Sequence, residues 1–186
     1  MLIFIKMNRE LKKIIKIPEG VNVTINDAEV TATLGNKKNS RDFDLMNLSL
    51  EKKDNEIILG EKKSSKKDKR RMNTIASHIA NLIQGVQTPY EYKLKICFSH
   101  FPITVEIKGK HAIIKNFLGE RSPRKIEIPA GADIKIEKEI ITVIASDKEV
   151  AGQAAANLEN ITRIPNRDRR IFQDGIFITN KNGEEI

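Results

Sequence analysis

Val23-Thr24-Ile25-Asn26-Asp27-Ala28-Glu29-Val30-Thr31-Ala32-Thr33-Leu34-Gly35 lies without gaps over Ile107-Lys108-Gly109-Lys110-His111-Ala112-Ile113-Ile114-Lys115-Asn116-Phe117-Leu118-Gly119. Val23 meets Ile107, Ala28 meets Ala112, Val30 meets Ile114, and both stretches end in Leu-Gly. In the first copy Val21, Val23 and Ile25 alternate with polar residues up to a turn at Asn26-Asp27, the pattern of strand, turn, strand. Working outward, Glu56-Ile57-Ile58 parallels Glu139-Ile140-Ile141, each a short apolar strand followed by a polar break and then a helix. The spacing predicts a first helix from about Lys69 to Ile83, with Met72, Ile75, Ala76, Ile79, Leu82 and Ile83 on one stripe. It predicts a second from about Asp147 to Thr162, with Val150, Ala151, Ala154, Leu158 and Ile161 on one stripe. Gly85 is placed to stop the first helix and Ser146-Asp147 to cap the second. One block with four matches could arise by coincidence, but three blocks in the same order point to duplication. The chain reads as α+β, with two similar domains, each a mostly antiparallel sheet packed with one main helix. The expected domains are 1–88 and 89–186, divided where Pro89 disfavours helix for the residue before it.

The 186 residues carry a formal net charge of +8, and 31% of them are charged. Such an excess suits a polyanion, because Lys and Arg displace the counterions condensed on phosphate backbones. An acidic membrane surface or plain solubility would also account for a modest excess. Hydrophobic residues reach 39% while aromatics are 5% and Trp is absent, so the core is expected to be aliphatic. Cys97 is the single cysteine, which excludes an intrachain disulfide and suggests a reducing compartment. The apolar run Leu2-Ile3-Phe4-Ile5 ends at Lys6, too short for a signal or a membrane span, so a soluble intracellular protein is expected.

Catalytic chemistry finds little support. His78, His100 and His111 have no second His or Cys at metal-ligand spacing, and Cys97 reads as a buried strand residue. Ser99 and His100 are adjacent, so on a strand their side chains should diverge and make no nucleophile–base pair. There is no phosphate-binding glycine loop. The expectation is no enzyme, no metal and no cofactor.

The basic residues form three groups. Lys62, Lys63, Lys66, Lys67, Lys69, Arg70 and Arg71 make the densest run, expected in an exposed connection before the first helix, as a solvated loop or a phosphate contact. In Arg163-Ile164-Pro165-Asn166-Arg167-Asp168-Arg169-Arg170 the basic residues are all arginine, and guanidinium groups bridge phosphates and stack on unpaired bases as ammonium groups cannot. The competing reading there is a surface turn with Asp168 paired to a neighbour. In Lys115-Asn116-Phe117-Leu118-Gly119-Glu120-Arg121-Ser122-Pro123-Arg124-Lys125, Phe117 aligns with Thr33, which places it facing outward on a strand as a possible stacking surface. A place in a minor edge cluster is the alternative. Along the second helix Gln153, Asn157 and Asn160 put uncharged amides where a solvated helix more often carries Glu and Lys, favouring a partner.

Several segments resemble the large-subunit ribosomal protein family numbered six, in its archaeal and eukaryotic branch. Ile17-Pro18-Glu19-Gly20-Val21 and Arg41-Asp42-Phe43 resemble the family's first domain, and Asp147 to Ala155 is similar to the second-domain helix start of bacterial members; Ser99-His100-Phe101-Pro102-Ile103, Asn116-Phe117-Leu118-Gly119-Glu120 and Arg167-Asp168-Arg169-Arg170-Ile171-Phe172-Gln173-Asp174-Gly175-Ile176 resemble signatures of the branch. The resemblance implies two homologous α+β domains and a place in the large subunit near the stalk base and the sarcin-ricin loop. Implied partners are large-subunit rRNA, the ribosomal proteins of the stalk base and nearby translational GTPases, with no membrane. It also implies that the second domain carries the main rRNA surface. Carried over, the rRNA-binding candidates are Lys115, Asn116, Phe117, Arg121, Arg124, Lys148, Gln153, Asn157, Arg163, Asn166, Arg167, Arg169 and Arg170. The rival expectation is a free-standing module that binds an acidic protein.

Overall fold

A computed structural model of the chain describes residues 11–35, 37–46, 48–61, 65–168 and 170–186. The apolar run at 2–5, Asn36, Lys62, Lys63 and Arg169 therefore lie outside the described residues. The chain divides into two compact units at Thr88/Pro89.

The first unit contains β1 (Leu11–Lys16), β2 (Asn22–Asn26), β3 (Glu29–Leu34), β4 (Lys37–Asp42), β5 (Ser49–Lys53), β6 (Glu56–Glu61) and α1 (Lys66–Gln87). Its strands form two antiparallel three-stranded sheets, ordered β1-β6-β5 and β2-β3-β4. The second unit contains β7 (Tyr90–Cys97), β8 (Thr104–Lys108), β9 (His111–Lys115), β10 (Arg124–Glu127), β11 (Ala132–Glu137), β12 (Ile140–Ala145) and α2 (Lys148–Ile161), then β13 (Gly175–Lys181) and β14 (Glu184–Glu185). Its sheets run β10-β9-β8 and β11-β12-β7-β13-β14. The first unit's plan thus recurs strand for strand, with β13 and β14 added beyond β7.

The duplication is real, and its register differs from the gapless alignment. Val23 faces Ala32 and Ile25 faces Val30 in the first unit; Val105 faces Ile114 and Ile107 faces Ala112 in the second. The true partner of Val23 is therefore Val105, so the alignment was two residues out. Side chains alternate with period two, so a slip of two keeps every residue on its own face and the apolar matches survive. The second block slipped by one: Ile57, and not Ile58, is the buried counterpart of Ile141.

In each unit the helix covers the sheets and closes an aliphatic core. Val30, Ala32, Ile57, Leu59 and Ile79 are fully buried in the first, and Leu94, Ile114, Ile141, Leu158 and Ile176 in the second. α1 begins earlier than its periodicity suggests, because Ser65 and Asp68 form a capping box that satisfies free N–H groups of the first turn. Lys66 to Arg71 therefore stand on helix and not in a connecting loop. Gly85 does not stop α1; it is buried within the helix, which ends at Gln87. Thr88 is extended, at φ −127° and ψ 116°, as the residue before Pro89 must be to avoid the proline ring. Asp147 caps α2 by accepting from the Glu149 N–H. The segment after Thr179 is paired: Asn182 and Gly183 both take positive φ and turn β13 back onto β14.

Candidate nucleic-acid interface

α2 is capped at its C-terminal end by Thr162, which is buried and makes two hydrogen bonds through one hydroxyl. Its Oγ1 donates to the Glu159 carbonyl and accepts the Ile176 N–H, joining the helix end to β13. Arg163, Pro165, Asn166, Arg167, Asp168 and Arg170 then run along the surface, all exposed. Asn166 is left-handed, at φ 55°, and reverses the chain. Asp168 closes a turn: its Oδ1 accepts the Arg170 N–H and its carbonyl accepts the N–H groups of Ile171 and Phe172. This tight turn folds Phe172 back against the domain. Its ring stacks on His100, centroids 5.0 Å apart, and the Arg167 guanidinium lies 5.0 Å from the same ring.

Asp174 fixes the far end of the segment. Its side chain is 1% exposed and takes the Ser99 and His100 N–H groups at 2.7 and 3.0 Å, His100 Nδ1 at 2.6 Å and the Ser99 hydroxyl at 3.2 Å. Burial alone would push this carboxyl up, but the His100 and Ser99 hydrogen bonds outweigh it and hold the pKa at about 2. Ser99 and His100 therefore do not diverge, because β7 has ended at Cys97 and they occupy a bend. The trio is nevertheless no catalytic relay. Ser99 Oγ and the carboxylate both meet His100 Nδ1, whereas a triad needs the carboxylate on one ring nitrogen and the nucleophile on the other. The arrangement is a staple that binds the loop after β7 to the start of β13.

The loop before β10 joins the same end of the domain. Arg124 donates from Nε and Nη2 to the Glu120 carboxylate at 2.8 and 2.5 Å, and from Nη1 to the Ile161 carbonyl at 2.5 Å. That last bond satisfies a carbonyl of the final turn of α2 and sets the loop beside the arginine segment. Asn116 and Leu118 are left-handed, at φ 59° and 50°, and the Asn116 amide donates to the Pro102 carbonyl. Phe117 does not face outward: β9 stops at Lys115, the left-handed Asn116 turns the chain inward, and the ring is 1% exposed in the core. It offers no stacking face, and Arg124 covers it at 4.3 Å. Lys115 is paired with Glu106 at 2.6 Å. Arg121 is exposed at the loop tip.

Arg124 thus meets the C-terminal end of α2, from which Arg163, Asn166, Arg167 and Arg170 follow, while Asn116 and Arg121 lie on the connection between β9 and β10 that leads to Arg124. Lys148 stands apart at the other end of the helix, roughly 20 Å along its axis, with its ammonium 5.9 Å from the Tyr90 ring. Gln153 and Asn157 lie between, and the Gln153 Nε2 donates to Asn157 Oδ1 at 2.7 Å, so each amide keeps one polar group for a partner. Sequence reasoning missed a cleft of about 680 Å³ beside the arginines, lined by Phe98, Asn160, Phe172, Gln173 and Phe177 among others. Cys97, expected to be buried, lines it half-exposed at the end of β7. The signal was available in Phe172-Gln173-Asp174-Gly175, which follows the arginine run directly.

The comparisons with known proteins agree with this reading of the fold. The family described as Ribosomal protein L6 matches residues 101–175, which hold Asp174 of the staple, the loop before β10 and the arginine segment. A large ribosomal subunit protein uL6 from Methanosphaera stadtmanae is 43% identical over 179 residues, 95% of this chain and 97% of the relative. The same protein of Methanobrevibacter smithii is 41% identical, covering 92% and 96% of the two chains, and that of Methanosarcina mazei is 39% identical, covering 94% and 99%. With likeness of this degree along almost the whole of both chains, the chain belongs to the L6 family of large-subunit ribosomal proteins and is a structural protein, not an enzyme.

Proposed function

We propose that the chain binds large-subunit rRNA through the second unit, with the arginines of segment 163–170 as the principal contacts. The observation that carries this reading is the anchoring of the segment: Thr162 at one end and Asp174 at the other fix the backbone that carries the exposed arginines, and the Arg167 guanidinium rests on the Phe172 ring. Guanidinium groups held in this way reach phosphate oxygens without first losing chain entropy. Asn116, Arg121, Asn166, Gln153 and Asn157 add donors and acceptors suited to sugars and phosphates, and Arg169 adds a further guanidinium by sequence. Lys148 is an outlying contact. Arg124 acts through the loop that it holds, since its three donor nitrogens are engaged within the protein.

On this reading the protein resides in the cytoplasmic ribosome. It sits near the stalk base and the sarcin-ricin loop, beside the proteins of the stalk base, and supports the region where translational GTPases dock, as the family resemblance implies. Cosedimentation tests the assignment: the intact chain stays with large subunits through a moderate salt wash. Its recovery entirely in the ribosome-free fraction would overturn the proposal.

A further inference from the structure

The cleft beside the arginine segment carries chemistry that phosphate contacts leave unused. Phe98 and Phe177 each expose 43% of their surface there, and the Phe172 ring completes the aromatic lining. Phe177 projects from β13 on the face opposite to the buried Ile176. Gly175 makes room for that ring: a Cβ there would come within 3.2 Å of Phe177 Cζ and 3.4 Å of Thr162 Oγ1. Two exposed amides also line the cleft, Asn160 from the last turn of α2 and Gln173 from the segment before β13. Gln173 Nε2 donates to the Arg170 carbonyl, which orients the amide and leaves its oxygen as an acceptor. Arg163 lines the same cleft with a cationic group.

Open aromatic faces, amides able to meet a polar edge and an adjacent guanidinium together suit a flat heterocycle attached to a phosphate. An apolar side chain from a protein would use the rings and leave the amides and the arginine idle. We propose that this cleft receives one unpaired nucleobase extruded from the rRNA. The base stacks against Phe98 and Phe177, its edge meets the Asn160 and Gln173 amides, and its phosphate pairs with Arg163. This inference rests on the rRNA-binding reading above and deepens it by naming a subsite.

Stacking releases no counterions, so it can be separated from phosphate binding by salt dependence. The test uses the full chain and deproteinised large-subunit rRNA as the probe, with Phe98→Leu/Phe177→Leu compared with the parent over a range of salt. The expected result is an affinity loss of about tenfold with the slope of log affinity against log salt unchanged. Ultraviolet crosslinks from nucleotide to the peptides holding Phe98 and Phe177 should also disappear. Should the double variant melt abnormally, Asn160→Leu supplies the second arm, since that exposed side chain lies outside the core; a loss of several-fold is expected. Parent-like affinity in both variants overturns the subsite while leaving rRNA binding intact. Unchanged rRNA affinity with loss of a neighbouring protein from assembled subunits assigns the cleft to protein and also overturns it. A parent chain that fails to bind the rRNA at all sinks the underlying reading instead.

Discussion

At the start of α1, Lys66, Lys67, Lys69, Arg70 and Arg71 stand on regular helix; after α2, Arg163, Arg167 and Arg170 stand on irregular chain. Charge density favours the first group, and the surroundings favour the second. The α1 cations crowd the positive end of a helix dipole, where only Asp68 in the first turn opposes them. That carboxyl is held below its ordinary range by hydrogen bonds from Ser65, with nearby Arg71 and Lys67 contributing less. The arginines instead follow a segment fixed by a buried threonine, a buried aspartate and a ring stacked on His100. The contrast separates the amount of charge from the fixing of charge. Immobilising a long side chain on binding costs roughly 0.5–1.5 kcal/mol, and the Arg167 guanidinium, laid against the Phe172 ring, has lost part of that freedom already.

The largest expected effect strikes this comparison directly. Arg163→Gln/Arg167→Gln/Arg170→Gln should lower rRNA affinity by about 100-fold near 0.1 M salt and reduce the salt slope by two to three, read by filter binding. Lys66→Gln/Lys67→Gln/Lys69→Gln should cost less than about fivefold in the same assay. Equal losses would mean that charge density alone decides binding.

Next comes the staple. Asp174→Ala leaves the part-buried N–H groups of Ser99 and His100 without their acceptor, so the second unit should lose about 3 kcal/mol in chemical denaturation. A change below about 1 kcal/mol would mean that the anchoring account overstates this carboxylate.

A smaller effect follows from protonation. The Asp174 pKa is about 2 in the folded chain against an ordinary 3.8, so its stabilising contribution is fully present above about pH 4 and fades as pH falls towards 2. Acid titration should show the second unit losing about 2 kcal/mol over that window, and Asp174→Asn should flatten the drop. Smallest of all, Ser65→Ala removes one half of the α1 capping box and should cost about 1 kcal/mol in the first unit, with rRNA affinity unchanged.

Much of the fold was legible because burial imposes a period. Alternation in Val21, Val23 and Ile25 and the stripe from Met72 to Ile83 gave the strands and helices, and the repeated order gave the two-unit plan. Register was less legible, since a two-residue slip conserves every face and sequence alone has nothing to penalise it. The arginine segment was visible as composition, whereas the residues that hold it were not. Asp174 and Ser99 are 75 positions apart, and only folding of the loop after β7 against the start of β13 brings them together. Phe117 shows the opposite failure. A ring among basic residues suggested a surface, but one left-handed backbone angle at Asn116 carries it into the core.

Side-chain reactivity in the native particle tests the central claim most directly. Large subunits and the free chain would each be treated with an arginine-selective dicarbonyl and a lysine acetylating reagent, then mapped by mass spectrometry. The account predicts that Arg163, Arg167 and Arg170 are shielded in the subunit and reactive when free, while Lys66, Lys67 and Lys69 react in both. Arginines modified equally in the two states, beside lysines shielded by assembly, would contradict it.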